Sequence, residues 1–122
     1  MERVIQIVED DADIRFIVEY VLEDASYTVE TFENARAFLN RSNKENVDLV
    51  ILDVMLPDGS GLELSKTLKE NDITSGIPVI IMSAHAGSDV ALSEGAADGF
   101  IQKPFDIDHF VKEVNAFIKA KN

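Results

Sequence analysis

Two apolar runs in this chain stop on carboxylates. Residues 50–59 read VILDVMLPDG, where Val50, Ile51 and Leu52 give way to Asp53, and residues 4–11 read VIQIVEDD, where a second run ends at Glu9, Asp10 and Asp11. Acids held within several ångströms of each other repel, and at least one pKa rises unless a cation is shared. A hard divalent ion resolves that conflict. Mg2+ prefers oxygen ligands and takes only one or two protein carboxylates beside water and phosphate oxygens. Glu9, Asp10 and Asp53, with a backbone carbonyl just past Asp53, form such a donor set, and Mn2+ is an acceptable substitute. Asp11 has a second role open to it, as cap of the helix that contains Ile14. A carboxylate can also attack phosphorus and carry the phosphoryl group as an aspartyl phosphate. Phosphoryl transfer asks a protein mainly for positioning and for positive charge around the equatorial oxygens. Lys103 offers that charge and Ser83 a hydroxyl donor.

These residues are far apart in sequence, so the elements between them decide whether they meet. Five short apolar runs stand out: Val4–Val8, Thr28–Phe32, Leu49–Leu52, Val79–Met82 and Phe100–Ile101. Stretches with helical spacing separate or follow them. Ile14, Ile17, Val18, Val21 and Leu22 recur as on one helix face, as do Phe110, Val111, Val114, Phe117 and Ile118. Ala35, Phe38 and Leu39 give a shorter pattern, and Leu64 with Leu68 another. Ser60-Gly61-Leu62-Glu63 reads as a capping box. Asn34, Ser88 and Asp106 are further caps, and Gly95 a helix stop. Strand and helix thus alternate five times, which implies parallel strands with right-handed crossovers. In open sheets of this kind ligands bind beyond the carboxyl ends of the strands. Glu9, Asp10, Asp11, Asp53, Ser83 and Lys103 all fall on that edge.

Composition narrows the field. The 122 residues suit one domain and carry no cysteine, which excludes disulfides and thiolate metal sites. The formal net charge of −12, from 23 acids against 11 bases, argues against direct contact with nucleic acid and suits a cation or a basic partner. No apolar stretch approaches the ~20 residues of a membrane span, and the start MERVIQIV is unlike a signal peptide. A cytoplasmic location fits these features.

Four stretches carry a resemblance: IVEDDADIR, VDLVILDVMLPDGSGLEL, PVIIMSA and GAADGFIQKPF. At these separations the chain resembles the receiver domain of two-component response regulators, over essentially its full length. The resemblance implies an α/β fold, a doubly wound five-stranded parallel sheet of order 2-1-3-4-5, and a single receiver domain spanning 1–122. It implies a signalling switch that turns over no external substrate. Asp53 matches the phosphoacceptor, Asp10 the direct metal ligand, Glu9 an acid acting through water, and the Met55 carbonyl a third protein ligand of Mg2+. Ser83 matches the switch hydroxyl, Phe100 the switch aromatic, and Lys103 the lysine that pairs with the phosphoryl group. The implied partners are a sensor histidine kinase or phosphotransfer protein and a downstream protein or fused output domain, with neither nucleic acid nor membrane bound directly. A phosphorylation-dependent homodimer is compatible with the resemblance.

Some features depart from that pattern. The span from Ser83 to Lys103 is short by roughly half a helical turn, which predicts a shortened fourth helix within 85–98. Phe100 stands for a more familiar tyrosine and Ser83 for threonine. His85 falls where the family tunes dephosphorylation, or is a solvated loop residue, and His109 reads as helix surface. Two other functions on similar folds fit less well. A phosphatase of the haloacid-dehalogenase type needs an acid two residues after the nucleophile, where Met55 stands. A flavin carrier needs a phosphate-binding loop where EDD would repel one. A pseudo-receiver, acting as an interaction module without phosphorylation, is the remaining alternative.

Overall fold

A computed structural model of the protein describes residues 2–84 and 97–121. Its elements in chain order are β1 (Val4–Val8), α1 (Ala12–Asp24), β2 (Thr28–Phe32), α2 (Ala35–Leu39), β3 (Leu49–Asp53), β4 (Met55–Leu56), β5 (Gly59–Ser60), α3 (Gly61–Glu70), β6 (Val79–Ser83), β7 (Gly99–Gln102) and α4 (Ile107–Lys121). The five-stranded sheet runs β2-β1-β3-β6-β7 with every neighbouring pair parallel. Set aside the two-residue strands β4 and β5, which pair with each other, and this is the expected order 2-1-3-4-5. The helix expected between Ser83 and Lys103, with Ser88, Gly95 and His85, lies outside the described residues. Among the described residues no helix is long and apolar enough to cross a membrane.

β1, β3 and β6 are apolar without alternation because both faces of the sheet are covered. On one face Val8, Val50, Leu52, Val79 and Ile81 meet Phe38 of α2 and Leu64 and Leu68 of α3. On the other, Ile5, Ile7, Leu49, Ile51, Ile80 and Met82 meet Val18 and Leu22 of α1 and Phe110, Val114 and Ile118 of α4. Each fully buried aliphatic or aromatic side chain contributes roughly 1.5–3 kcal/mol relative to exposure, so this two-sided core holds the strand ends fixed. Gln6 interrupts the first run yet is wholly buried. Its amide donates to Glu30 Oε1 and to the Asn43 carbonyl, each at 2.8 Å, and its oxygen accepts from Arg41 Nε at 2.9 Å. The burial of this polar side chain is therefore compensated.

The caps follow the sequence reading. Asp11 Oδ1 accepts from the amides of Asp13 and Ile14 at 2.9 and 3.1 Å. Asn34 Oδ1 accepts from Ala37 N at 2.8 Å, and Asp106 Oδ2 from His109 N at 3.2 Å. Of the capping box at α3 the serine half is made, with Ser60 Oγ accepting from Leu62 N at 3.1 Å. An unforeseen cap ties the site loop to α2. Asp58, in the turn between β4 and β5, accepts from Ala35 N at 2.8 Å and Arg36 N at 3.0 Å. Those two amides hold its carboxyl below the usual aspartate value.

Candidate functional site

Strand order places the site. β1 feeds β2 on one side and β3 on the other side of itself, so a crevice opens between the carboxyl ends of β1 and β3. Register puts Val8 beside Leu52 and Asp53 beside Met82, so Glu9 and Asp53 leave the sheet on adjacent strands. Ser83 pairs with Gln102 one step further on, which brings Lys103 to the same rim. The Lys103 amide donates to the Ser83 carbonyl at 2.8 Å, and the Lys103–Pro104 peptide bond is cis.

The result is a cleft of about 290 Å³ lined by Glu9, Asp10, Asp11, Asp53, Met55, Ser83 and Lys103, with Ile14 and Ala84. Among the described residues, the candidate metal ligands, the acceptor, Ser83 and Lys103 are brought together there, and Phe100 is not. Phe100 is half-buried and packs against the apolar cluster on the α2–α3 face. Ser83 is buried at the end of β6. Met55 is exposed at the cleft lip. His109, expected on a helix surface, is exposed on α4 with its ring 3.7 Å from Glu113.

Electrostatics at the cleft centre on three groups. Lys103 Nζ donates to Glu9 Oε1 at 2.5 Å and to Asp53 Oδ2 at 3.1 Å. Glu9 is wholly buried and Asp53 nearly so. Burial pushes the Glu9 carboxyl up to about 7; hydrogen bonds from the Lys103 ammonium and the Asp11 amide pull it back, and the Asp53 charge pushes it further. Desolvation pulls the Lys103 ammonium down, but the two carboxylates outweigh it and leave its pKa above the usual lysine value. One lysine thus answers two buried acids, while Asp10 adds a third at the exposed rim. One oxygen from each of Glu9, Asp10 and Asp53 lies within 4.8 Å of the others. An all-carboxylate oxygen set of this kind fits Mg2+ and does not suit softer metals.

The floor of the site depends on a missing side chain. A Cβ on Gly61 would stand inside the Asp53 carbonyl, so only glycine lets α3 start so close beneath β3. The Gly61 amide donates to the Val54 carbonyl at 2.9 Å.

A family model described as the response regulator receiver domain matches residues 5–115. The chain belongs to this family. As a receiver domain it is a part of two-component signalling, and its relatives agree. It is 37% identical over 121 residues to the phosphate regulon transcriptional regulatory protein PhoB of Klebsiella pneumoniae, covering 98% of this chain and 53% of PhoB. It is 37% identical over 118 residues to the DNA-binding transcriptional regulator NtrC of Escherichia coli K12, covering 94% of this chain and 24% of NtrC. The receiver domain therefore spans about half the length of PhoB and about a quarter of NtrC. Among solved structures, the response regulator TrrA of Thermotoga maritima in complex with Mg2+-BeF superposes with a TM-score of 0.83 at 30% identity, over 94% of this chain and 98% of TrrA. DrrB, an OmpR/PhoB homologue from Thermotoga maritima, gives a TM-score of 0.88 at 31% identity, over 100% of this chain and 55% of DrrB. The receiver domain of DrrB has also been solved in a BeF3-activated form, with a TM-score of 0.86 at 30% identity, over 98% of this chain and 99% of that domain.

Two contributions to the site left little trace in the sequence reading. Arg15 Nη1 donates to the Glu9 carbonyl at 2.8 Å and reaches the Asp10 carbonyl at 3.4 Å. Asp58 anchors the loop after Asp53 to α2, as described above. Helical spacing could have flagged Arg15, which follows the acidic turn by little more than one helical turn.

Proposed function

We propose that Asp53 accepts a phosphoryl group and that the receiver domain works as a phosphorylation-dependent switch. The donor is a phosphohistidine on a sensor kinase or phosphotransfer protein, or a small acyl phosphate. The observation that carries the reading is the Lys103 ammonium bound to both Glu9 and Asp53 in a cleft that Asp10 and Ser83 also line.

Glu9, Asp10, Asp53 and the Met55 carbonyl are the residues that would hold Mg2+, and the chemistry it supplies there is charge neutralisation around the transferred group. Mg2+-BeF in TrrA supports this assignment by likeness. A carboxylate oxygen of Asp53 forms the new O–P bond as the donor's P–N bond breaks, and the electron pair of that bond returns to the imidazole nitrogen. Lys103 keeps its proton and exchanges part of its contact with Glu9 for one with a phosphoryl oxygen. Ser83 donates its hydroxyl to another. The product carries a charge of about −1.5 to −2 where Asp53 carried one. Moving Ser83 toward it opens space for the half-buried Phe100 ring, and the surface between Ser83 and Asp106 changes with it. The charge change biases a two-state element. A downstream protein or a fused output domain reads that surface, and a homodimer formed on phosphorylation is one form of readout. The domain catalyses only its own phosphorylation and hydrolysis.

Incubation with acetyl phosphate and Mg2+ followed by intact-mass spectrometry tests the reading. One added phosphoryl group is expected, absent when a chelator removes the metal before acetyl phosphate is added and absent in Asp53→Asn. Stoichiometric label in that variant moves the acceptor elsewhere, and an unlabelled wild-type chain favours the pseudo-receiver.

A further inference from the structure

Glu9 and Asp53 are each held by Lys103, but the carboxylate of Asp10 accepts no hydrogen bond among the described residues and is exposed. Repulsion from its two acidic neighbours favours its swinging out to solvent. What restrains it must act on its backbone. The guanidinium of Arg15, half-buried in the first turns of α1, donates from Nη1 to the Glu9 carbonyl at 2.8 Å and approaches that of Asp10 at 3.4 Å. The peptide that follows is fixed from its other side. The Asp11 amide donates to Glu9 Oε2 at 3.2 Å, while Asp11 Oδ1 caps α1. The turn from Glu9 to Asp11 is thus gripped through its carbonyls by α1 and through its amide by Glu9.

We propose that Arg15 is a positioning residue for the metal site, setting the direction of the Asp10 carboxylate through the backbone of residues 9–11. It touches neither phosphoryl group nor metal. The proposal rests on the assignment of Asp10 as a metal ligand. Its expected signature is a change in Mg2+ affinity with little change in the chemistry at Asp53, because the guanidinium orders the ligand and not the nucleophile.

The experiment compares the full 122-residue chain with Arg15→Met and Arg15→Lys. Mg2+ binding is followed by calorimetry, backbone amides by NMR, and acetyl phosphate labelling at saturating Mg2+ by mass spectrometry. Tyr27→Phe, which loses its hydrogen bond to Asn115, is the control for stability alone. Arg15→Met is expected to weaken Mg2+ binding roughly ten-fold, shift the Asp10 and Asp11 amides, and label at the wild-type rate once Mg2+ saturates. Arg15→Lys, with one ammonium for the Glu9 carbonyl, is expected to fall between the two. Tyr27→Phe is expected to melt earlier and bind Mg2+ as wild type does. Wild-type Mg2+ affinity in Arg15→Met overturns the proposal, whatever its melting temperature. Should that variant not fold, Arg15→Lys decides: intermediate affinity supports the proposal and wild-type affinity overturns it. A wild-type chain that binds Mg2+ but takes no label defeats the phosphorylation reading and leaves the positioning role standing. A wild-type chain that binds no Mg2+ overturns both.

Discussion

Asp48 precedes β3 and Asp53 ends it, so one strand carries the same side chain at each of its ends. At the amino end Asp48 Oδ2 accepts the Val4 amide at 2.8 Å, its own amide donates back to the Val4 carbonyl at 2.8 Å, and Arg3 stands 3.8 Å away. Its needs are met locally and its side chain is part-exposed. At the carboxyl end Asp53 shares one lysine with Glu9, takes a long 3.4 Å bond from the Met55 amide, and is nearly buried. The two aspartates show that residue type does not make a site. Nor does acidic open space, since Asp48 lines a cleft with Glu2 and Glu45; buried carboxylates that share one ammonium set the carboxyl end apart.

Paired substitutions test that contrast most severely. Asp53→Asn is expected to abolish labelling by acetyl phosphate, whereas Asp48→Ala, which removes the acceptor of the Val4 amide, should label as wild type and lose about 1 kcal/mol in denaturant unfolding, the scale of one part-exposed hydrogen bond. Label retained in the first or lost in the second would erase the distinction.

Next in size are the cations. Lys103→Met leaves two buried carboxylates without their ammonium and should cost about 3 kcal/mol in metal-free protein at pH 8. Arg3→Met, at a part-exposed ion pair, should cost no more than about 0.5 kcal/mol. Equal losses would mean that the two ends are alike.

A pH titration of stability sharpens the same point. Folding raises the Glu9 pKa from 4.5 to about 7, so between those values the folded chain holds more protons than the unfolded one. The stabilisation is complete below about 4.5 and is lost as pH rises through about 7. Lys103, whose pKa is also raised, keeps its contribution throughout that window. Metal-free protein is therefore expected to lose on the order of 2 kcal/mol between pH 5 and pH 8, and Glu9→Gln to flatten the curve. A Glu9→Gln curve as steep as wild type would place the titrating group elsewhere.

The site was legible because its signal is local and repeated. Apolar runs that stop on Glu9, Asp53 and Ser83 mark strand ends, and strand–helix alternation sends all those ends to one edge. The caps at Asp11, Asn34 and Asp106 were legible for the same reason, since each partner lies within three residues. Contacts made across the fold were not. Asp58 caps a helix 23 residues away, and nothing in PDG distinguishes it from an ordinary turn. Arg15 acts on backbone carbonyls, which are the same in every sequence. Gln6 sits inside an apolar run, and only the fold supplies the Glu30, Asn43 and Arg41 groups that let it be buried. The ribbon of β4 and β5 is too short to leave a periodic pattern.

The chain has no tryptophan and two tyrosines. Tyr20 projects into solvent from α1, and Tyr27 lies just before β2, donating its hydroxyl to Asn115 of α4. Tyr27 thus sits at the amino end of the sheet, away from the cleft. Ultraviolet emission from the unlabelled protein therefore observes exposed Tyr20 and the contact of the α1–β2 loop with α4, and not the acidic rim. A quench or enhancement on adding a ligand to the cleft would be an optical record of strain crossing the whole sheet, obtained without a dye.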